Sequence, residues 1–213
     1  MKKIIFSNPL KHKIRISRND IKRNAVFAVF CILVFIGIIT GAFGGKNADS
    51  ELLKKLDFIF LTNFDVRCSG GVLSAFVSSF ASSFLFLLVI FLLGLSVWGG
   101  IVVATIPFFK GYGYGLSVGW LYCNYGFNGV LYNILIILPG AFLCSALIAA
   151  ASDSAFKISV KLMSYCSRHI SADNIHISMK RYLVSMLWFL FLAAVSAAVD
   201  MIFSLCFSRF FSF

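Results

Sequence analysis

Charge is the scarcest thing in this sequence. Only 13% of its 213 residues carry it, and the stretch between Arg67 and Lys110 has none. With 60% hydrophobic residues and a mean hydropathy of +0.94, a chain of this size has too little polar surface for a soluble domain. The composition predicts an integral membrane protein. Proline numbers three, which leaves long helices uninterrupted. Cysteine and histidine chemistry is thin. Six cysteines (Cys31, Cys68, Cys123, Cys144, Cys166 and Cys206) form no CxxC pair, and only Cys166 with His169 has zinc-ligand spacing. Cys68 and Cys123 are the two predicted to face outside together, and no disulfide is expected between them. His12, His169 and His176 all fall in segments predicted to be cytoplasmic. There is no HExxH helix and no pair of carboxylates on an exposed loop. No loop is long enough for a catalytic domain of its own. These gaps predict a non-enzymatic protein without metal or cofactor.

What is present is apolar length. The apolar run 25–43 has 19 residues, enough to cross about 30 Å of hydrocarbon at 1.5 Å per residue. The basic segment before it and its own length favour an uncleaved span over a signal peptide. Residues 44–71 read as an external connector of mixed charge, with "SELLKKLDFIFL" as a short amphipathic helix on the membrane surface. The next 50 or so apolar residues are too long for one crossing and fit two. "GLSVWGG" at 94–100 is the natural turn between them. "NYGFNG" at 124–129 is a second turn. The predicted spans are 25–43, 72–93, 95–122, 130–151 and 182–207, with 1–24 as a basic tail and 152–181 as a polar connector. The fold class is all-α, a polytopic helical bundle of about five transmembrane helices.

The net charge of +11 sets orientation rather than nucleic-acid binding. With the N-terminus inside, cytoplasmic segments hold 13 Lys or Arg and external ones five. That bias predicts an N-in, C-out arrangement. The basic tail can also attract anionic lipid heads, though setting orientation is the simpler role.

Three features inside the spans call for a reason. Gly111, Gly115 and Gly119 recur every four residues and share a helix face. Such a ridge lets another backbone approach closely in lipid. It serves either as a docking face for a partner or, more plainly, as packing against the chain's own spans. Lys110 and Asp200 are isolated intramembrane charges. They sit at about 25 Å from the inner boundary of their spans. Equal depth and opposite sign allow a pair, or shared access to a wet pocket; separate snorkelling is the bland alternative. Pro107 and Pro139 each remove a backbone donor in mid-span and mark helix breaks, which read most simply as packing kinks.

The core "FLLGLSVWGGIVVATIPFFKGYGYGLSVGWLYCNYGFNGVLYNILIILPG" resembles the stage II sporulation protein M family. The resemblance rests on Gly94, Phe109-Lys110-Gly111-Tyr112, Gly115, Tyr125-Gly126, Gly129 and Leu138-Pro139, and covers residues 70–151 best. One departure is visible: many members have a histidine after the Leu-Pro pair, where Gly140 stands. The resemblance implies a membrane protein of endospore-forming bacteria that works in engulfment of the forespore. It implies two wall-degrading partners, an amidase and a lytic transglycosylase, held at the septal membrane. Anchoring would then fall to the Gly111/Gly115/Gly119 face and to connector 44–71. Membrane lipids are the other expected partner, and a second copy of the chain is an allowed one. The competing reading is a small permease or transporter subunit built around Pro107, Lys110, Pro139 and Asp200. No internal repeat of the transporter kind supports it.

Overall fold

The computed structural model describes residues 18–45, 72–166 and 172–207. Most of the basic tail, residues 46–71 of the connector expected at 44–71, with Cys68 and the expected amphipathic helix, and residues 167–171 and 208–213 lie outside the described residues. The elements are α1 (Arg18–Gly45), α2 (Val72–Gly94), the short α3 (Gly99–Val103), α4 (Thr105–Tyr132), a π-turn (Asn133–Ile137), α5 (Leu138–Cys166) and α6 (Ala172–Phe207). Among the described residues, four stretches are long and apolar enough to cross a membrane: 25–45, 76–94, 99–166 and 176–206.

The third of these, 68 residues long, is not one rod. It folds back at Gly126, whose φ of 55° and ψ of −130° fall where only glycine sits without strain. The two arms then lie side by side. Tyr114 donates to the Ile137 carbonyl at 3.1 Å, and Gly129 packs on the Leu121 carbonyl. The described residues therefore pass through the bundle five times. α1, the arm 99–125 and α6 run one way; α2 and the arm 127–166 run the other.

The turn between α2 and α3 is tight and held by hydrogen bonds. Ser96 N–H donates to Leu93 O (3.0 Å) and Gly99 N–H to Ser96 O (3.2 Å). Ser159 on α5 adds to them: its hydroxyl accepts from the Gly100 N–H at 2.8 Å and donates to Ser96 O at 2.8 Å. A methyl group at Gly99 would stand 1.7 Å from the Leu93 carbonyl oxygen, so no larger residue fits. In hydrocarbon an open turn would leave these groups unmatched.

One structural detail differs from expectation. Pro107 does not break a span in its middle. The chain already irregularises at Ala104, and Pro107 lies in the first turn of α4, where its missing donor disturbs little. Pro139 follows the π-turn, in which the Leu138 N–H reaches back five residues to Asn133 O. The polar segment 152–181 is mostly helix: α5 runs on to Cys166 and α6 starts at Ala172. No glycine or proline interrupts that segment, and the i,i+4 pair of Lys157 with Asp153 supports it.

The main core lies where α2, α3, the start of α4, α5 and α6 meet. Ile90, Val103, Ile148, Ala151 and Ala155 are fully enclosed there, with Tyr182 donating to the carbonyl of Ile90 at 3.3 Å. A smaller cluster of Leu121, Tyr132, Ile136 and Ile137 steadies the fold-back. α1 stands on the flank, against the first arm and α5.

Candidate functional site: a buried polar centre and a glycine seam

α2 carries serines at 79, 82 and 83, spaced i, i+3, i+4, so they share one helix face. That face turns inward. Ser82 and Ser83 are buried, as are Lys110 on α4, Ser196 on α6 and Asp200 on α6. Lys110 is 5% exposed and Asp200 7%, low values for ionisable groups inside an apolar bundle. Taken along α2 from Gly94, Ser82 lies about 18 Å in and Ser79 about 22 Å in. The charges thus sit well inside a hydrocarbon layer about 30 Å thick.

Hydroxyls attend both charges. Lys110 Nζ donates to Ser82 Oγ at 2.9 Å and stands 4.8 Å above the centre of the Phe86 ring, in cation–π range. Ser79 Oγ donates to Asp200 Oδ2 at 2.5 Å. Ser196 donates to the Gly140 carbonyl at 3.1 Å, tying α6 to the start of α5. Ser83 Oγ and Cys144 Sγ are 3.2 Å apart. Lys110 and Asp200 line one common cavity of about 30 Å³, with Ser79, Ser82, Tyr114 and Gly140 around it. The space suits a water or two. The arrangement gathers α2, α4, α5 and α6 around two opposite charges. Sequence reading found the charges and missed the serines, whose spacing on one face was the available signal.

The glycine ridge has an equally definite place. Gly111, Gly115 and Gly119 are buried against α1. A methyl group on them would meet the carbonyl oxygens of Val34, Ile38 and Ala42 at 2.2, 2.1 and 2.4 Å. α1 answers in kind. A methyl group on Gly37, Gly41 or Gly45 would meet the carbonyl oxygens of Phe108, Tyr112 and Leu116 as closely, at 2.3, 2.2 and 2.5 Å. Two ridges of four-residue period thus interlock between parallel helices, backbone on backbone. The docking-face reading of Gly111, Gly115 and Gly119 is corrected by this contact: the chain's own first helix covers them. The same run spells "GLSVG", formally the GxSxG pattern of a hydrolase nucleophile. That pattern needs a strand-to-helix elbow. Ser117 lies in mid-helix instead, its hydroxyl donating to Gly113 O at 3.1 Å.

Comparison with known proteins matches this architecture to one family. No curated protein and no solved structure matches the chain. A family model described as stage II sporulation protein M matches residues 26–203, from the first span almost to the end of the last described helix. The match takes in both the glycine seam and the polar centre, and the chain belongs to the stage II sporulation protein M family.

Proposed function

We propose that this chain is a non-enzymatic membrane scaffold that anchors and recruits peptidoglycan hydrolases at the septal membrane during sporulation engulfment. Family membership supplies the sporulation context. The observation that carries the scaffold reading is the small size of the polar centre. Lys110 and Asp200 share a cavity of about 30 Å³, whereas small-molecule sites occupy about 300 Å³ or more. Charges enclosed this tightly serve to join helices. The chain stands N-in, C-out on this reading, as the Lys and Arg bias favours.

The partners in this proposal are an amidase and a lytic transglycosylase. With α1 over the glycine ridge, the external connector 44–71 is the segment left to receive them. Replacing residues 51–67 with a flexible Gly/Ser linker of equal length tests this. The expected result is normal accumulation in the membrane with loss of co-purifying hydrolases. Hydrolases retained at the parental level would refute the connector's role. The permease alternative makes a different forecast: solute flux in reconstituted vesicles that Lys110→Met removes. Vesicles that pass no solute count against it.

A further inference from the structure

A second polar pocket lies between α5 and α6, at the end of the bundle that holds the α2–α3 turn. Its walls are Lys157, Lys161 and Ser154 from α5 and Ser178, Arg181 and Ser185 from α6, around a space of about 150 Å³. Buried Ile158 and Tyr182 form its floor. The charges do not balance. Lys157 is matched by Asp153 in an i,i+4 pair. Lys161 donates only to a neutral group, Ser178 Oγ, at 3.1 Å. Among the described side chains no carboxylate faces Lys161 or Arg181. Three hydroxyls and two unmatched cations therefore converge on one open space.

From these observations we infer that the pocket binds the phosphate of an anionic phospholipid. Chemistry selects the anion: a guanidinium, an ammonium and serine hydroxyls are what phosphate oxygens accept from. Position selects a lipid as its carrier. Tyr182, in the pocket floor, bonds to the α2 carbonyls next to Gly94, so the pocket lies level with the end of an apolar span. The α6 stripe through Arg181 and Ser185 continues, at helical spacing, to Trp188 and Leu192. Those two are 61% and 46% exposed and apolar. A ligand with a charged head and apolar tails fits both halves, as basic pockets between membrane helices do elsewhere. The inference stands apart from the recruitment of hydrolases and does not need it.

The test uses the full chain reconstituted with equal phosphatidylglycerol and phosphatidylcholine, then counts the lipids retained by native mass spectrometry. The parent is expected to retain phosphatidylglycerol in preference to phosphatidylcholine. Lys161→Gln with Arg181→Gln should weaken that retention about thirty-fold, each of the two pocket cations being worth about a factor of five. Lys180→Gln removes one charge, against two in the double variant, from an exposed site outside the pocket, and should change retention less than about two-fold. Ser185→Leu fills the pocket and leaves every cation in place; it too should lose the lipid, and it decides the matter if the double variant does not fold. Equal retention in the parent and both pocket variants overturns the proposal. So does a loss of about five-fold or more in Lys180→Gln, which would mean diffuse charge. Displacement of the lipid by millimolar inorganic phosphate would assign the site to a free anion and overturn the lipid reading.

Discussion

Gly140 and Asp200 occupy one small space. A methyl group at Gly140 would lie 2.6 Å from Asp200 Oδ1 and 2.7 Å from Asp200 Cβ. The histidine that many relatives are expected to carry there could not coexist with Asp200 as it is placed. Glycine at 140 is thus the condition for the carboxylate at 200. Gly140→Ala should lower the thermal midpoint in detergent, in line with an overpacking cost of about 1–3 kcal/mol. The charges themselves are tested together. Lys110→Glu or Asp200→Lys alone should sharply reduce accumulation in the membrane, since an isolated charge at this depth costs about 2.5–3.5 kcal/mol. The double reversal should restore it in immunoblots of membrane fractions; failure to restore would mean the two act separately. Lone charges in an apolar run are conspicuous in a sequence, so Lys110 and Asp200 were legible. Ser79, Ser82 and Ser196 were not, because a serine in a membrane helix often bonds only to its own backbone, as Ser145 does to Phe142 O at 3.0 Å.

At the scale of elements, glycine decides where helices meet and where they turn. Gly115→Leu would drive a side chain into the Ile38 carbonyl and should detach α1 from the first arm. A thiol cross-link between Cys-substituted Gly44 and Leu116, where a methyl group at Gly44 would lie 3.4 Å from Leu116 Cδ2, measures this. It should form in the parent background and fail when Gly115→Leu is added. Gly126→Ala is a different experiment, since nothing stands within 4 Å of an added methyl group. Only backbone strain of about 1–3 kcal/mol opposes it, so the variant should melt earlier yet keep the α1 contact. The close-approach face at 111, 115 and 119 was legible from its four-residue period. Its occupant was not. Small residues fit any flat ridge, and only the fold shows that Gly37, Gly41 and Gly45 are the answering set. Pro107 misled for a related reason: a proline in an apolar run looks the same in mid-helix and in a first turn.

At the scale of the whole molecule, an odd number of passes puts the two ends on opposite sides. A tag after residue 213 should be cut by external protease in intact cells, and a tag before residue 1 should be spared; the reverse pattern would invert the bundle. The alternation of apolar runs and turns made the five passes legible, including the fold-back near Gly126. A helix in the polar segment at 159–169 was legible from its amphipathic pattern, whereas its continuity with the apolar run before it, as the single helix α5, was not. The seam between α1 and the first arm joins stretches about 70 residues apart in the chain, with α2 made in between. During synthesis the first helix must therefore wait in lipid, its bare glycine flank open, until the ribosome has delivered its mate. A polypeptide stopped before residue 99 would keep that flank open for good, ready to stick to any other small-residue helix nearby.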